Sequence, residues 1–169
     1  MKKNFAFIII VLLVAGCNEQ RSELRSFDPQ TIFSVDDARL ILGGLVNTKQ
    51  GSTGIDAEGL ASCLLKYAAI EGDSAGRKSS LTFKYDEFAS VTVAENAYAA
   101  IKKAYEQNKG VKIIEHIGDE AYFNSDDSTF YYLLARKNNK TFHISVSPIT
   151  STTSLDEFYK VAKRVADSL

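Results

Sequence analysis

The chain holds no tryptophan, one methionine, two prolines, two histidines and two cysteines in 169 residues. Each scarcity excludes something. A metal site needs three or four converging ligands at a recognisable spacing, and His116 and His143 belong to no such cluster. Asp126-Asp127-Ser128 lacks the alternating oxygen ligands and closing glutamate of a calcium loop. There is no His-Glu-x-x-His and no phosphate-binding glycine loop, so zinc hydrolysis and nucleotide chemistry have no local mark. No metal and no cofactor is therefore expected. Nor is there an excess of cations: 20 Lys and Arg face 21 Asp and Glu. Nucleic-acid binding draws most of its affinity from a basic face, and that is missing.

Long apolar runs are scarce too. One stands out, Phe5 to Ala15, preceded by Lys2 and Lys3 and followed by Gly16 and Cys17. Eleven residues make about 17 Å of helix, short of the roughly 30 Å hydrocarbon core of a bilayer. A positive start, an apolar core and small residues at a cut site are the layout of an export signal. The segment Leu13-Val14-Ala15-Gly16-Cys17 resembles the bacterial lipoprotein signal. That resemblance implies that residues 1–16 are removed and that Cys17 carries a diacylglyceryl group. One acyl chain anchors only marginally, whereas two hold firmly. Asn18 stands where some bacteria read an inner-membrane retention aspartate, which favours the outer membrane over the inner.

Without the signal, eighteen cationic residues face twenty-one acidic ones, a net charge of about −3. The lipid, rather than a basic patch, must then anchor the chain. Cys63 is left without a partner in an oxidising compartment, so no internal disulfide can form. It opens an apolar run and has no basic neighbour in sequence, which points to a buried, unreactive thiol.

Residues 17–33 are polar without periodicity and read as a lipidated cysteine and flexible tether. A single domain is expected over 34–169, long enough for a real core. Ser34-Val35-Asp36-Asp37 starts a helix with the stripe Ala38, Ile41, Leu42 and Leu45. Gly51 to Gly54 reads as loop. Leu60 to Ile70 and Leu81 to Tyr85 read as strands joined by the polar loop Gly72 to Arg77. Thr92-x-x-Glu95 is a capping box for a helix with the stripe Val93, Ala97, Ala100, Ile101 and Ala104, closed by Asn108-Lys109-Gly110. Val111 to Ile117 and Ala121 to Phe123 follow as strands. Phe130 to Arg136 and Thr141 to Ser147 form a hairpin across Lys137 to Lys140. Ser154-x-x-Glu157 caps a last helix with the stripe Phe158, Val161, Ala162, Val165 and Leu169. The expected class is α+β: one antiparallel sheet of about five to six strands, helices packed on a face, in the order α-ββ-α-ββββ-α.

Ile117-Gly118-Asp119-Glu120-Ala121-Tyr122-Phe123 resembles a segment of small exported bacterial lipoproteins of poorly defined function. In those proteins it precedes a hairpin with an Arg-Lys pair and an Asn-rich turn, matched here by Leu133 to Ile144, and then a C-terminal helix. Cys63 matches a cysteine that opens an early strand. The similarity runs from about Asp36 to the end. It departs at Asn138-Asn139, where the family usually has a glycine, but asparagine tolerates left-handed conformations. The resemblance implies a compact envelope domain of the αβ sandwich kind, sometimes linked to envelope lipids or partner proteins, and implies no catalytic activity.

The residues themselves offer two site readings. Phe130-Tyr131-Tyr132 puts rings on both faces of a strand, and one set is expected to line a groove with Tyr122 and His143. This gives Tyr122, Tyr131, Tyr132 and His143 as candidate ligand-binding residues of a non-enzymatic envelope domain, one that binds a partner protein or a small apolar molecule. The alternatives are an envelope hydrolase using Asp119, Glu120 and a histidine, and a structural protein without ligand. Adjacent strand residues face opposite ways, which counts against Asp119 and Glu120 sharing a substrate. Asp119 is expected instead to accept backbone N–H bonds in a turn.

Overall fold

A computed structural model describes residues 27–105 and 110–169. The signal, Cys17, residues 18–26 of the tether and the Asn108-Lys109 helix end lie outside them. The described chain is packed from its first residue. Phe27 stacks on Tyr85 at 5.5 Å between ring centroids, Phe33 stacks on Phe83 at 4.6 Å, and Pro29–Thr31 form one 3-10 turn. The packed part thus begins before Ser34, because two phenylalanines in an otherwise polar stretch suffice to fasten it.

Helix α1 spans Val35–Leu42. Its capping box is complete: Ser34 N–H donates to Asp37 Oδ2 at 2.7 Å, and Asp37 N–H donates to Ser34 Oγ at 3.2 Å. Gly43 ends it at φ +74°, so Leu45 falls outside the helix and is exposed. Strands β1 (Val46–Ile55), β2 (Ala61–Ala69) and β3 (Ser80–Glu87) form a meander. Strand β1 corrects the loop expected at Gly51 to Gly54. It is an outer strand with a register shift between Lys49 and Ser52 opposite β2, and its polar, glycine-containing sequence conceals it.

Helix α2 (Val91–Tyr105) starts two residues earlier than the Thr92 box, with Ser90 Oγ accepting from Val93 N–H at 3.3 Å. Its buried residues are Ala94 and Tyr98, while Val93 is exposed. The expected stripe was rotated because Tyr98, not a small apolar residue, anchors the helix. Strand β4 is only Lys112–Ile113, shorter than the expected Val111 to Ile117. Strands β5 (Glu120–Ser125), β6 (Tyr131–Lys137) and β7 (Lys140–Ser147) follow, then helix α3 (Leu155–Asp167). Ser154 caps α3, and Phe158, Val161, Ala162 and Val165 are buried as the periodicity predicts.

The class is α+β with one antiparallel sheet, as expected. The sheet has seven strands rather than five to six, in the order β1-β2-β3-β7-β6-β5-β4, and a third strand precedes α2. Helices do not share one face. Helices α1 and α3 lie over the face that carries Cys63, Tyr67, Phe83, Phe123, Leu133 and Ile144, which is the main core. Arg164 of α3 donates to Asp37 of α1 at 2.7 Å and ties the two helices together. Helix α2 crosses the opposite face over Tyr122 and Leu134. Cys63 is buried, and that burial pushes its thiol up to about 12, as expected of an unreactive cysteine. None of the described helices is long and apolar enough to cross a membrane.

Phe158 joins α3 to the main core and touches the rings of Phe123 and Tyr131. Phe158→Ala is expected to cost about 3–5 kcal/mol, read as a lower urea midpoint with an unchanged m-value.

Candidate functional site

Strand alternation decides where the four candidate binding residues go. Tyr131 points into the main core against Phe123 and Phe158. Tyr122 and Tyr132 point to the other face, beneath α2. There Tyr98, Tyr105, Tyr122 and Tyr132 form a ladder, with Tyr105 stacked on Tyr132 at 5.2 Å and Tyr132 at 5.4 Å from the His143 ring. The structure therefore brings three of the four together and separates Tyr131 from them. Tyr122 is fully buried, so the ladder is an internal packing feature more than an open surface.

Burial sets the chemistry of this ladder. It raises Tyr122 well above the ordinary phenol range and takes Tyr98 and Tyr132 up to about 12 each. It also lowers His143 to about 4, with the positive charge of Lys84 across the β3–β7 pair adding to the effect. Tyr122 Oη and Asn124 Oδ1 are buried without a hydrogen-bond partner among the described residues. Such groups cost about 1–3 kcal/mol each.

A charged cluster lies beside the ladder. Arg136, on the same face of β6 as Leu134, is almost fully buried, with a side chain 7% exposed. Its Nε and Nη2 donate to Glu120 Oε1 at 3.1 and 2.8 Å, and Nη1 donates to Asp119 Oδ2 at 3.2 Å and to the Asn138 carbonyl at 3.0 Å. Glu95 of α2 approaches Nη2 at 3.9 Å. Asp119 precedes β5, so the alternation argument does not apply to it, and both carboxylates converge on one guanidinium. Asp119 also accepts from Asn138 N–H at 2.7 Å and from Lys137 Nζ at 2.9 Å. Asp119 does accept a backbone N–H, but from Asn138 across the hairpin rather than within its own turn. Gly118, at φ +67°, is required there, because a Cβ would come within 2.4 Å of the Arg136 carbonyl oxygen.

Sequence reasoning passed over Arg136, whose type reads as solvent-exposed. It also passed over Gly72-x-Ser74-x-Gly76, which has the spacing of a nucleophile elbow. The fold removes that meaning, since the elbow needs a strand-to-helix turn. Here the segment joins β2 to β3. His143 pairs with Lys84, four residues along β3 from Ser80, or about 13 Å at strand rise. Asp73 accepts from Ala75 N–H and Arg77 N–H and shapes an ordinary loop.

Two clefts flank the segment from Ile113 to Ala121. One, of about 360 Å³, lies toward α2 and is lined by Tyr98, Lys102 and Glu120. The other, of about 460 Å³, lies toward α3 and is lined by Tyr159, Lys160 and Lys163. Ile113 is 62% exposed, and Ile114, His116 and Ile117 line both clefts. His116 holds a left-handed φ of 70°. Among the described residues, no group of three or more His, Cys, Asp or Glu converges as a metal site would.

A seven-stranded antiparallel sheet with two helices on one face and one on the other defines the class of domain. No protein-family model and no curated protein matches the chain in sequence. Its fold is similar to that of the extracellular domain of PknH from Mycobacterium tuberculosis, with a TM-score of 0.51 at 8% identity, over 79% of this chain and 89% of that one.

Two acid-side predictions follow from the shifted groups. Hydrogen bonds from Asn138 N–H and Lys137, together with the charges of Lys137 and Arg136, hold the Asp119 carboxyl below its ordinary 3.8. Its contribution is complete above the unfolded value and is lost as pH falls through the lower native one. Asp119→Asn should cost about 1–2 kcal/mol at pH 7, and its urea midpoint should begin to approach that of the unaltered protein only as pH falls below about 4, converging on it further down. His143 has the opposite charge and the same direction of effect. Its native value is about 4 against an ordinary 6.5, so protons taken up by the unfolded chain weaken the fold as pH falls between those values. The His143 ring resonances should stay unshifted down to about pH 5 in an NMR titration and reach the midpoint of their shift near pH 4.

Proposed function

We propose that the chain is a lipid-anchored domain of the bacterial cell envelope that binds a partner protein or a small apolar envelope molecule and catalyses no reaction. The binding reading rests on one observation above all. Ile113 is exposed on a segment with a cleft on either side, and the strand it ends is only two residues long. Apolar side chains held at the mouths of clefts are what a binding surface requires. The export signal and Cys17 support the anchor, with the outer membrane as the destination. The similar solved structure is itself described as an extracellular domain, which accords with a place outside the cytoplasm.

The hydrolase alternative draws on Asp119, Glu120 and a histidine. Both carboxylates are engaged by Arg136; His143 lies on the tyrosine ladder beside Lys84, and His116 lines the same cleft as the carboxylates with its side chain 86% exposed. A general base needs a free oxygen and a raised proton affinity, whereas Asp119 has the reverse.

Lipidation is tested by labelling growing cells with palmitate. The unaltered chain should carry the label and sediment with outer membranes, and Cys17→Ala should lose the label. A labelled Cys17→Ala chain would reject the anchor. Catalysis is tested in a deletion strain: Asp119→Asn should restore the phenotype as well as the unaltered gene, and failure to restore it at normal protein levels would favour the hydrolase.

A further inference from the structure

The α2-side cleft carries opposite charges around an apolar wall. Glu120 Oε1 takes both Arg136 bonds, at 3.1 and 2.8 Å, and this fixes the orientation of the whole carboxylate. Its Oε2 has no hydrogen-bond partner among the described residues and belongs to a side chain lining the cleft. An ionised oxygen held in place in this way is a site for a cation. Lys102, one α2 turn beyond Tyr98, brings an ammonium to the same cleft. The Tyr98 ring, itself 2% exposed, and the side chains of Ile113 and Ile114 line the same cleft, as do Glu115 and His116, whose side chains are each 86% exposed. A purely anionic or purely cationic ligand would satisfy one charge and leave the other facing it. A ligand with both charges and an apolar body satisfies all three features. About 360 Å³ is at the small end of ligand sites, room for one or two residues.

We propose that this cleft binds a zwitterionic ligand of the amino-acid or short-peptide class, with its ammonium on Glu120 Oε2, its carboxylate toward Lys102 and its apolar side chain against Ile113 and Ile114. The inference rests on the binding reading given above and narrows it to one cleft and one chemistry. Asp119 does not compete for the ammonium, because its Oδ1 accepts from Lys137 and its Oδ2 from Asn138 and Arg136. Arg136 acts as a positioning residue: it holds Glu120 without facing the ligand.

The test is calorimetric titration of the full-length lipidated protein, in detergent micelles, with the dipeptide Leu-Leu. Binding is expected, and acetylating the amine or amidating the carboxylate should each weaken it at least tenfold. Ile113→Asp and Lys102→Ala should weaken Leu-Leu at least tenfold with unchanged thermal midpoints, since Ile113 is largely exposed. Glu120→Gln should abolish the preference for the free amine over the acetylated form. Equal binding of the capped peptides, or no binding of Leu-Leu, overturns the proposal. In the second case, an extra mass carried by the native protein in mass spectrometry would leave the broader binding reading standing, whereas a bare chain would count against both.

Discussion

Pairing of β3 with β7 is the constraint on which the other elements depend. It joins a three-strand meander from the first half of the chain to a four-strand meander from the second, in one register from Ser80–Ser147 to Glu87–Lys140. Phe83, Phe142 and Ile144 meet there with no solvent exposure, so the seam is also the centre of the main core. Because β7 takes the place beside β3, the chain leaving β3 must reach the far edge of the sheet to begin β4. Helix α2 is that crossing. It covers the second face over β5 and β6, and none of the described helices covers that face of β1 to β3.

The site follows from how the crossing ends. A two-residue edge strand gives the segment after it little backbone support, and Ile113 to Ala121 has to be held by other means. Arg136 supplies them. One buried guanidinium engages the turn before β5, the first residue of β5 and the β6–β7 hairpin loop, with Glu95 of α2 close by. A buried cation is tolerated only when it is paired and its donors are satisfied. The carboxylates that sequence reasoning offered as catalytic are thus the price of burying Arg136, and the same arrangement fixes Glu120 at the mouth of a cleft.

Much of this was legible in the sequence, for identifiable reasons. Helices α1 and α3 have their caps and stripes in one place, so local and tertiary signals agree at Ser34, Asp37, Ser154 and Phe158. The β6–β7 hairpin shows because both faces of its strands are packed and Asn138 can take φ 53°. Strand β1 does not show, because an outer strand that buries little beyond Val46 needs no apolar alternation. Helix α2 was found but turned wrongly, since its anchor is a tyrosine packing on other tyrosines. The candidate residues part company for a similar reason. Alternation places Tyr131 and Tyr132 on opposite faces, but no local pattern says that α2 will cover Tyr122.

The two faces also differ in kind, and the difference bears on where a ligand can sit. The α1/α3 face is a continuous core of fully buried aromatic and aliphatic side chains, and a guest there would have to displace close packing. The apolar cluster of the α2 face centres on only Tyr98, Tyr122 and Leu134, ringed by partly buried side chains, and two polar atoms there have no partner among the described residues. It is the thinner layer, and the face on which local opening costs least. Binding at the edge of that layer needs no rearrangement of the main core. The Arg136 cluster lies between the layer and the turn, so Glu120 keeps its place while Lys102 and Ile113, on the exposed side, can adjust to what enters.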